Sequence, residues 1–304
     1  MAVPSCALSD RPDLTTLLEV QEYFSLPSPA LVEKDWHVVQ ALAAISGAAS
    51  DGLTLVFGGG TALGRAHGLL ARMSEDIDLR IVGDQATSRP ALKRLRQEIS
   101  ERLKAQGFEV EGHVAVKQSD RYVRYDLPYA PIAAGEGVLR PEIKIEAAAF
   151  PIRRPAVVLP VRSFIAEAAK RDPEVPGIPC VSLVETAAEK FVALTRRTGA
   201  VFAGAPADNT LVRHIYDLTR LEGQYDPDDC LVLAWETMVL DAQERGYEAY
   251  KADPLAETRQ TVARMTTDEA VRGDYDLLLA GMVYGEKPPF EVAIGVLQAF
   301  AERL

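Results

Sequence analysis

The chain has 304 residues, 33 Lys plus Arg against 44 Asp plus Glu, a formal net charge of −11 and 48% hydrophobic side chains. This is the profile of a soluble globular protein with material for one large domain or two ordinary ones. A net acidic field opposes counterion release, which excludes a uniformly basic nucleic-acid-coating surface but leaves room for a local basic groove. The acidity is uneven: net −4 over residues 1–120, +3 over 121–220 and −10 over 221–304.

Cys6, Cys180 and Cys230 are odd in number and widely spaced, so neither a disulfide framework nor a zinc site is expected, and a reducing cytoplasm is the default. The first residues lack a basic and apolar leader, and no apolar stretch of about 18 residues occurs. Neither secretion nor membrane insertion is expected.

Apolar residues at helical spacing predict helices over 13–25 and 28–45, the second with Leu31, Trp36, Val39 and Leu42 on one face. LTLVF at 53–57 reads as a strand, followed by Gly58, Gly59 and Gly60 and a helix-like TALGRAHGLL. In SEDIDLRIV at 74–82, Ile77, Leu79 and Ile81 alternate with Asp76, Asp78 and Arg80, the period of a half-buried strand. A charged helix over 89–106 and strands over 108–117, 121–127 and 138–147 complete an α/β unit on a mixed sheet. PIRRPAVVLPVRSF leads out of it, and RDPEVPGIPC has linker composition. Helices are then predicted over 182–195, 208–222, 227–244, 267–280 and 289–304.

Alternation puts Asp76 and Asp78 on one face of a strand, close enough to share a hard cation. The glycine turn opening a helix supplies N–H groups for phosphate oxygens, with Thr61 and Ser74 as added hydroxyls. Either feature alone is more often a solvated face or a tight connection. Their union in one β-α-β segment, with Lys144 and Glu146 on a further alternating strand, supplies the three carboxylates that two-metal phosphoryl transfer uses. His67, His113 and His214 form no metal-binding spacing, and no GxSxG, Walker or Rossmann signature occurs.

VEKDWHVVQAL, LVFGGGTALGRAHGLLARMSEDIDL, EIKIE, SLVETAAEKFVAL and RHIYDLTRL, in this order between residues 31 and 221, resemble the AbiEii/AbiGii and MenT type of nucleotidyltransferase toxin. The resemblance implies an α+β fold: a polymerase β-like nucleotidyltransferase core with a mixed sheet, then a mainly helical C-terminal domain. The expected domains are N-terminal helices (1–50), core (51–165) and helical domain (175–304).

By the same resemblance, Gly59, Gly60, Thr61 and Ser74 match the phosphate-binding half of the first motif, and Asp76 and Asp78 its metal-binding aspartates. Lys144 and Glu146 match the second motif, with Glu146 as third metal ligand or base. Ser182, Glu185 and Lys190 match the third, Lys190 meeting the triphosphate, and Asp217 the fourth. Two departures are Gly58, where many relatives carry Lys, and His214, where Asp is frequent.

The resemblance further implies Mg²⁺ or Mn²⁺ as cofactor, an NTP as substrate, the 3′ end of tRNA as acceptor and a possible cognate antitoxin. It also implies a place in a toxin–antitoxin or abortive-infection system that blocks translation. A small-molecule nucleotidyltransferase of the antibiotic-modifying kind and a non-catalytic nucleotide-binding module are the alternatives. Arg121, Arg124, Arg153, Arg154, Arg196 and Arg197 are the expected basic groove.

Overall fold

The structure, a computed structural model, describes residues 11–84, 86, 88–133 and 139–304; Cys6 and the start of the strand expected over 138–147 lie outside the described residues. The chain divides into two units, one of residues 1–68 and 72–181, the other of 69–71 and 182–304.

In the first unit, α1 (Leu14–Phe24) is capped by the Asp13 carboxylate, which accepts from Thr16 N. α2 (Pro29–Ile45) starts from Ser28 with proline in its first turn. Its periodicity predicts one apolar face, yet the helix is buried nearly all round, including Glu33, Lys34, Asp35, His37 and Gln40. Three of these polar groups have partners that make burial tolerable. Glu33 accepts from Ile132 N and Ala133 N, Lys34 donates to the carbonyls of Arg140 and Glu142, and Asp35 accepts from Phe164 N.

β1 (Ala49–Ser50) pairs with β2 (Leu53–Gly58), which runs into the single turn α3 (Gly59–Thr61) and a π-helical turn at Ala62–Ala66. The ten-residue helix suggested by TALGRAHGLL is therefore much shorter, and its last N–H bond is from His67 to Ala62. β3 (Asp76–Val82) and α4 (Arg89–Ala105) follow as expected. Of the strand expected over 108–117 only β4 (Val114–Lys117) forms, before β5 (Tyr122–Pro128) and β6 (Glu142–Ala148).

The expected exit and linker are instead part of the sheet: β7 (Val157–Val161), the short α5 (Phe164–Ala168) and β8 (Val175–Cys180). Pro176, Gly177 and Pro179 give β8 a turn-like composition, because proline offers no ladder donor. The strand persists by pairing with β7 on one side and, through Phe57↔Cys180, with β2 on the other.

The sheet order is β4-β5-β6-β3-β2-β8-β7, with β6–β3 and β2–β8 parallel and the other neighbours antiparallel. One face buries Ile77, Leu79 and Ile81, Val123, Tyr125 and Leu127, and Ile143, Ile145 and Ala147, in one core with Val38, Leu42 and Ile45 of α2 and Leu92, Leu95 and Ile99 of α4. The opposite face of β3, β5 and β6 is therefore polar.

The second unit is helical: α6 (Leu183–Phe202), α7 (Arg213–Leu221), α8 (Pro227–Glu244), α9 (Glu248–Ala252), α10 (Pro254–Met265), α11 (Glu269–Gly281) and α12 (Phe290–Arg303). α9 and α10 have no counterpart among the helices predicted from periodicity. Pro254, which reads as a break, sits in the first turn of α10 behind the Asp253 cap. Ala71 belongs to this unit and accepts from Tyr284 N and Gly285 N.

Candidate active site

β3 and β6 lie side by side in parallel, with Asp76 opposite Lys144 and Asp78 opposite Glu146. Alternation turns all four side chains to the polar face, where each is only partly exposed. The Lys144 ammonium stands between the carboxylates, 3.5 Å from Asp76 Oδ2 and 3.3 Å from Glu146 Oε1. Burial by itself would lower its pKa, but Asp76, Glu146 and Asp78 outweigh burial and hold it above the usual lysine value.

β5 adds a side of the site that the motifs did not reveal. The Tyr122 hydroxyl donates to Glu146 Oε1 at 2.6 Å, and burial first, then this carboxylate, push the phenol up to about 12. Arg124 and Asp126, 2.9 Å apart, lie opposite Glu146 and Lys144. The alternation of Tyr122, Arg124 and Asp126 with Val123, Tyr125 and Leu127 was the available signal.

The glycine turn closes the other side. Gly59 has φ +73°, and a Cβ there would stand 2.0 Å from Asp78 Oδ2, so both the backbone and the space demand glycine. A Cβ at Gly60 would stand 2.7 Å from Ser74 Oγ and 2.8 Å from Arg72 Nη2. The Thr61 hydroxyl donates to the Asp76 carbonyl at 2.5 Å and meets Ser74 Oγ at 3.0 Å. Gly59, Gly60, Thr61, Ser74, Asp76, Asp78, Lys144 and Glu146 thus converge on one edge of the polar face.

Lys34 lies within the VEKDWHVVQAL block. Its Nζ binds the Arg140 and Glu142 carbonyls at the start of β6 and pairs with Glu75 Oε2 at 3.0 Å, the residue before β3. One buried ammonium therefore ties together the leading ends of both carboxylate strands.

In the helical unit, Lys190 of α6 donates to Asp217 Oδ2 of α7 at 2.8 Å, Asp217 is fully buried, and His214 Nδ1 lies 3.5 Å from Lys190 Nζ. Lys190 thus has a partner on another helix, 27 residues further along the chain. Ser182 caps α6 by accepting from Glu185 N. Among the groove arginines, Arg124 pairs with Asp126, Arg196 with Asp241 and Arg197 with Asp208.

Asp76 and Asp78 offer only oxygen donors, the chemistry a hard divalent cation prefers, and the glycine at 59 leaves room beside Asp78. Among the described residues no group of three or more His, Cys, Asp or Glu stands close enough to hold a metal alone. Two carboxylates suit a magnesium-like ion, which usually keeps several waters beside one or two protein carboxylates. Among the described residues no helix is long and apolar enough to cross a membrane.

The family model described as nucleotidyl transferase AbiEii toxin, type IV toxin–antitoxin system, matches residues 40–302. Among solved structures, the chain is similar to MenT4, a nucleotidyltransferase toxin from Mycobacterium tuberculosis H37Rv, at 19% identity and a TM-score of 0.50, over 93% of this chain and 99% of that one. No curated protein sequence matches. The matched segment spans the carboxylate strands, Lys190 and Asp217.

Proposed function

Because the chain belongs to the AbiEii family of nucleotidyltransferase toxins, we propose that it transfers a nucleoside monophosphate from an NTP to an acceptor hydroxyl, the 3′ end of tRNA, and so blocks translation. The observation that carries this reading is the parallel register that sets Asp76 and Asp78 beside Lys144 and Glu146 at the glycine turn.

The acceptor oxygen attacks the α-phosphorus, the bond to the bridging oxygen breaks, pyrophosphate leaves and the hydroxyl proton passes to Glu146. Mg²⁺ or Mn²⁺, when bound by Asp76 and Asp78 with Glu146 nearby, supplies positive charge to the phosphate oxygens. The backbone at Gly59 and Gly60, with Thr61 and Ser74, positions those oxygens. Tyr122 fixes the Glu146 carboxylate through its hydrogen bond. On the family resemblance, Lys190, oriented by Asp217, neutralises the triphosphate. A cognate antitoxin is the expected protein partner.

The test is incubation of the purified protein with each α-labelled NTP, a divalent cation and total RNA. Label in tRNA that disappears with Asp76→Asn is the expected result. Label confined to a small hydroxyl compound would replace the acceptor, and undiminished transfer by Asp76→Asn would remove the mechanism.

A further inference from the structure

The polar face continues past the carboxylates. Along β3 it runs Asp76, Asp78, Arg80, after Ser74 just before the strand, and along β6 Lys144, Glu146, Ala148, with Arg80 opposite Ala148. Two residues beyond β6 lies Phe150, 46% exposed and, with Tyr23 and Trp235, one of the exposed aromatic side chains among the described residues. The Arg80 guanidinium lies over its ring, Cζ 5.3 Å from the centroid, and Arg80 Nη1 donates to the Pro151 carbonyl at 3.2 Å. Arg153 and Arg154 come three and four residues later in the chain. An exposed aromatic ring backed by a fixed guanidinium and followed by further cations is a stacking surface for a base with its phosphate.

Its direction from the reacting groups decides which base. The glycine turn and Ser74 lie on one side of Asp76 and Asp78, whereas Arg80 and Phe150 lie on the other, about 7 Å further along the strand. In-line displacement brings the acceptor oxygen from the side opposite the departing pyrophosphate. Glu146, which takes the acceptor proton, pairs in register with Asp78, the aspartate nearer Arg80. We propose that Phe150, backed by Arg80, stacks the terminal base of a single-stranded RNA acceptor and presents its hydroxyl to Glu146. This rests on the transfer reaction proposed above and adds the site where the acceptor is held.

The test is binding of a 5′-fluorescein single-stranded oligoribonucleotide by anisotropy without NTP, alongside calorimetric NTP affinity. Both are measured for the wild type, Phe150→Ala, Phe150→Trp and Arg80→Ala, each checked for folding by circular dichroism. Loss of base–aromatic stacking is expected to weaken oligonucleotide binding by Phe150→Ala about fivefold or more. Phe150→Trp should restore it, and NTP affinity should stay at the wild-type value in all three variants.

Equal oligonucleotide affinity in Phe150→Ala and wild type, a wild type that does not bind the oligonucleotide, or a parallel loss of NTP affinity would each overturn the inference. Wild-type labelling of RNA with oligonucleotide affinity indifferent to Phe150 overturns it while leaving the transfer reaction standing. Phe150-dependent binding by a wild type that labels nothing overturns the transfer reaction instead.

Discussion

At residue scale, Gly59 is the glycine that bears directly on the carboxylate pair. Any L side chain there meets both the cost of φ +73° and a collision with the Asp78 carboxylate. Gly59→Ala is expected to cut transfer at least about 100-fold by displacing Asp78, a loss of roughly 3 kcal/mol or more. The melting temperature should fall by about a few degrees, the left-handed backbone costing about 1–2 kcal/mol while the carboxylate swings toward solvent; transfer rate against melting temperature checks this. Tyr122→Phe deletes a hydrogen bond to a carboxylate, of the class worth about 1.5–3 kcal/mol. It should lower kcat about tenfold or more with the KM for NTP unchanged, in steady-state kinetics on labelled RNA.

Asp76, Asp78, Lys144 and Glu146 were legible in the sequence because alternation on a strand is a local rule. The roles of Tyr122 and Lys34 are not legible there, because their partners are brought near only by sheet order and helix packing.

At element scale, α2 carries two adjacent groups that oppose each other with pH. Burial raises the Asp35 carboxyl to about 6, against the pull of Arg65 and the Phe164 N–H, so the folded state binds its proton more tightly than the unfolded chain. Asp35 therefore makes stability fall as pH rises from about 4 to 6. Burial lowers His37 to about 4, with Arg11 acting in the same direction, so the unfolded chain binds that proton more tightly. His37 makes stability rise from about pH 4 to 6.5.

The two slopes offset each other in the wild type. Asp35→Asn should leave a profile that rises more steeply over that window than the wild type's, and His37→Gln one that rises less or falls. Urea unfolding at pH 4, 5 and 6 distinguishes them. Periodicity recognised α2 as a helix, because its spacing and its Ser-Pro start are local. It could not show that the polar side is buried as well, which depends on the N–H groups of Ile132, Ala133 and Phe164 and the carbonyls of Arg140 and Glu142.

At the scale of the whole molecule, the second unit takes three residues, 69–71, from the middle of the first unit's sequence. Ala71 holds the segment before α12 by accepting from Tyr284 N and Gly285 N, and a Cβ on Gly285 would meet Ala71 Cβ at 2.4 Å. A fragment of residues 182–304 lacks this clasp. Its helices should persist by circular dichroism, while amide exchange around 282–289 speeds up strongly relative to the full chain.

The acidic charge that opens the sequence also changes meaning at this scale. Of the −10 carried by 221–304, Asp241 neutralises Arg196, a member of the 121–220 segment. The local excess of basic residues over 121–220 is therefore smaller in the folded protein than in the sequence.

The sequence by itself determined the family, the α+β class, most helices and the carboxylate strand pair. Caps, periods of 3.6 and 2, and motif blocks are written in residues close along the chain. Tertiary structure alone decided that a proline-rich stretch would be two more strands, that a helix-like segment would shorten to a π-helical turn, and that Lys34, Tyr122 and Phe150 would stand where they do. Each of these depends on a partner supplied from far along the chain. A β-strand exists only where a neighbour accepts its hydrogen bonds, and a buried charge only where carbonyls and carboxylates converge on it.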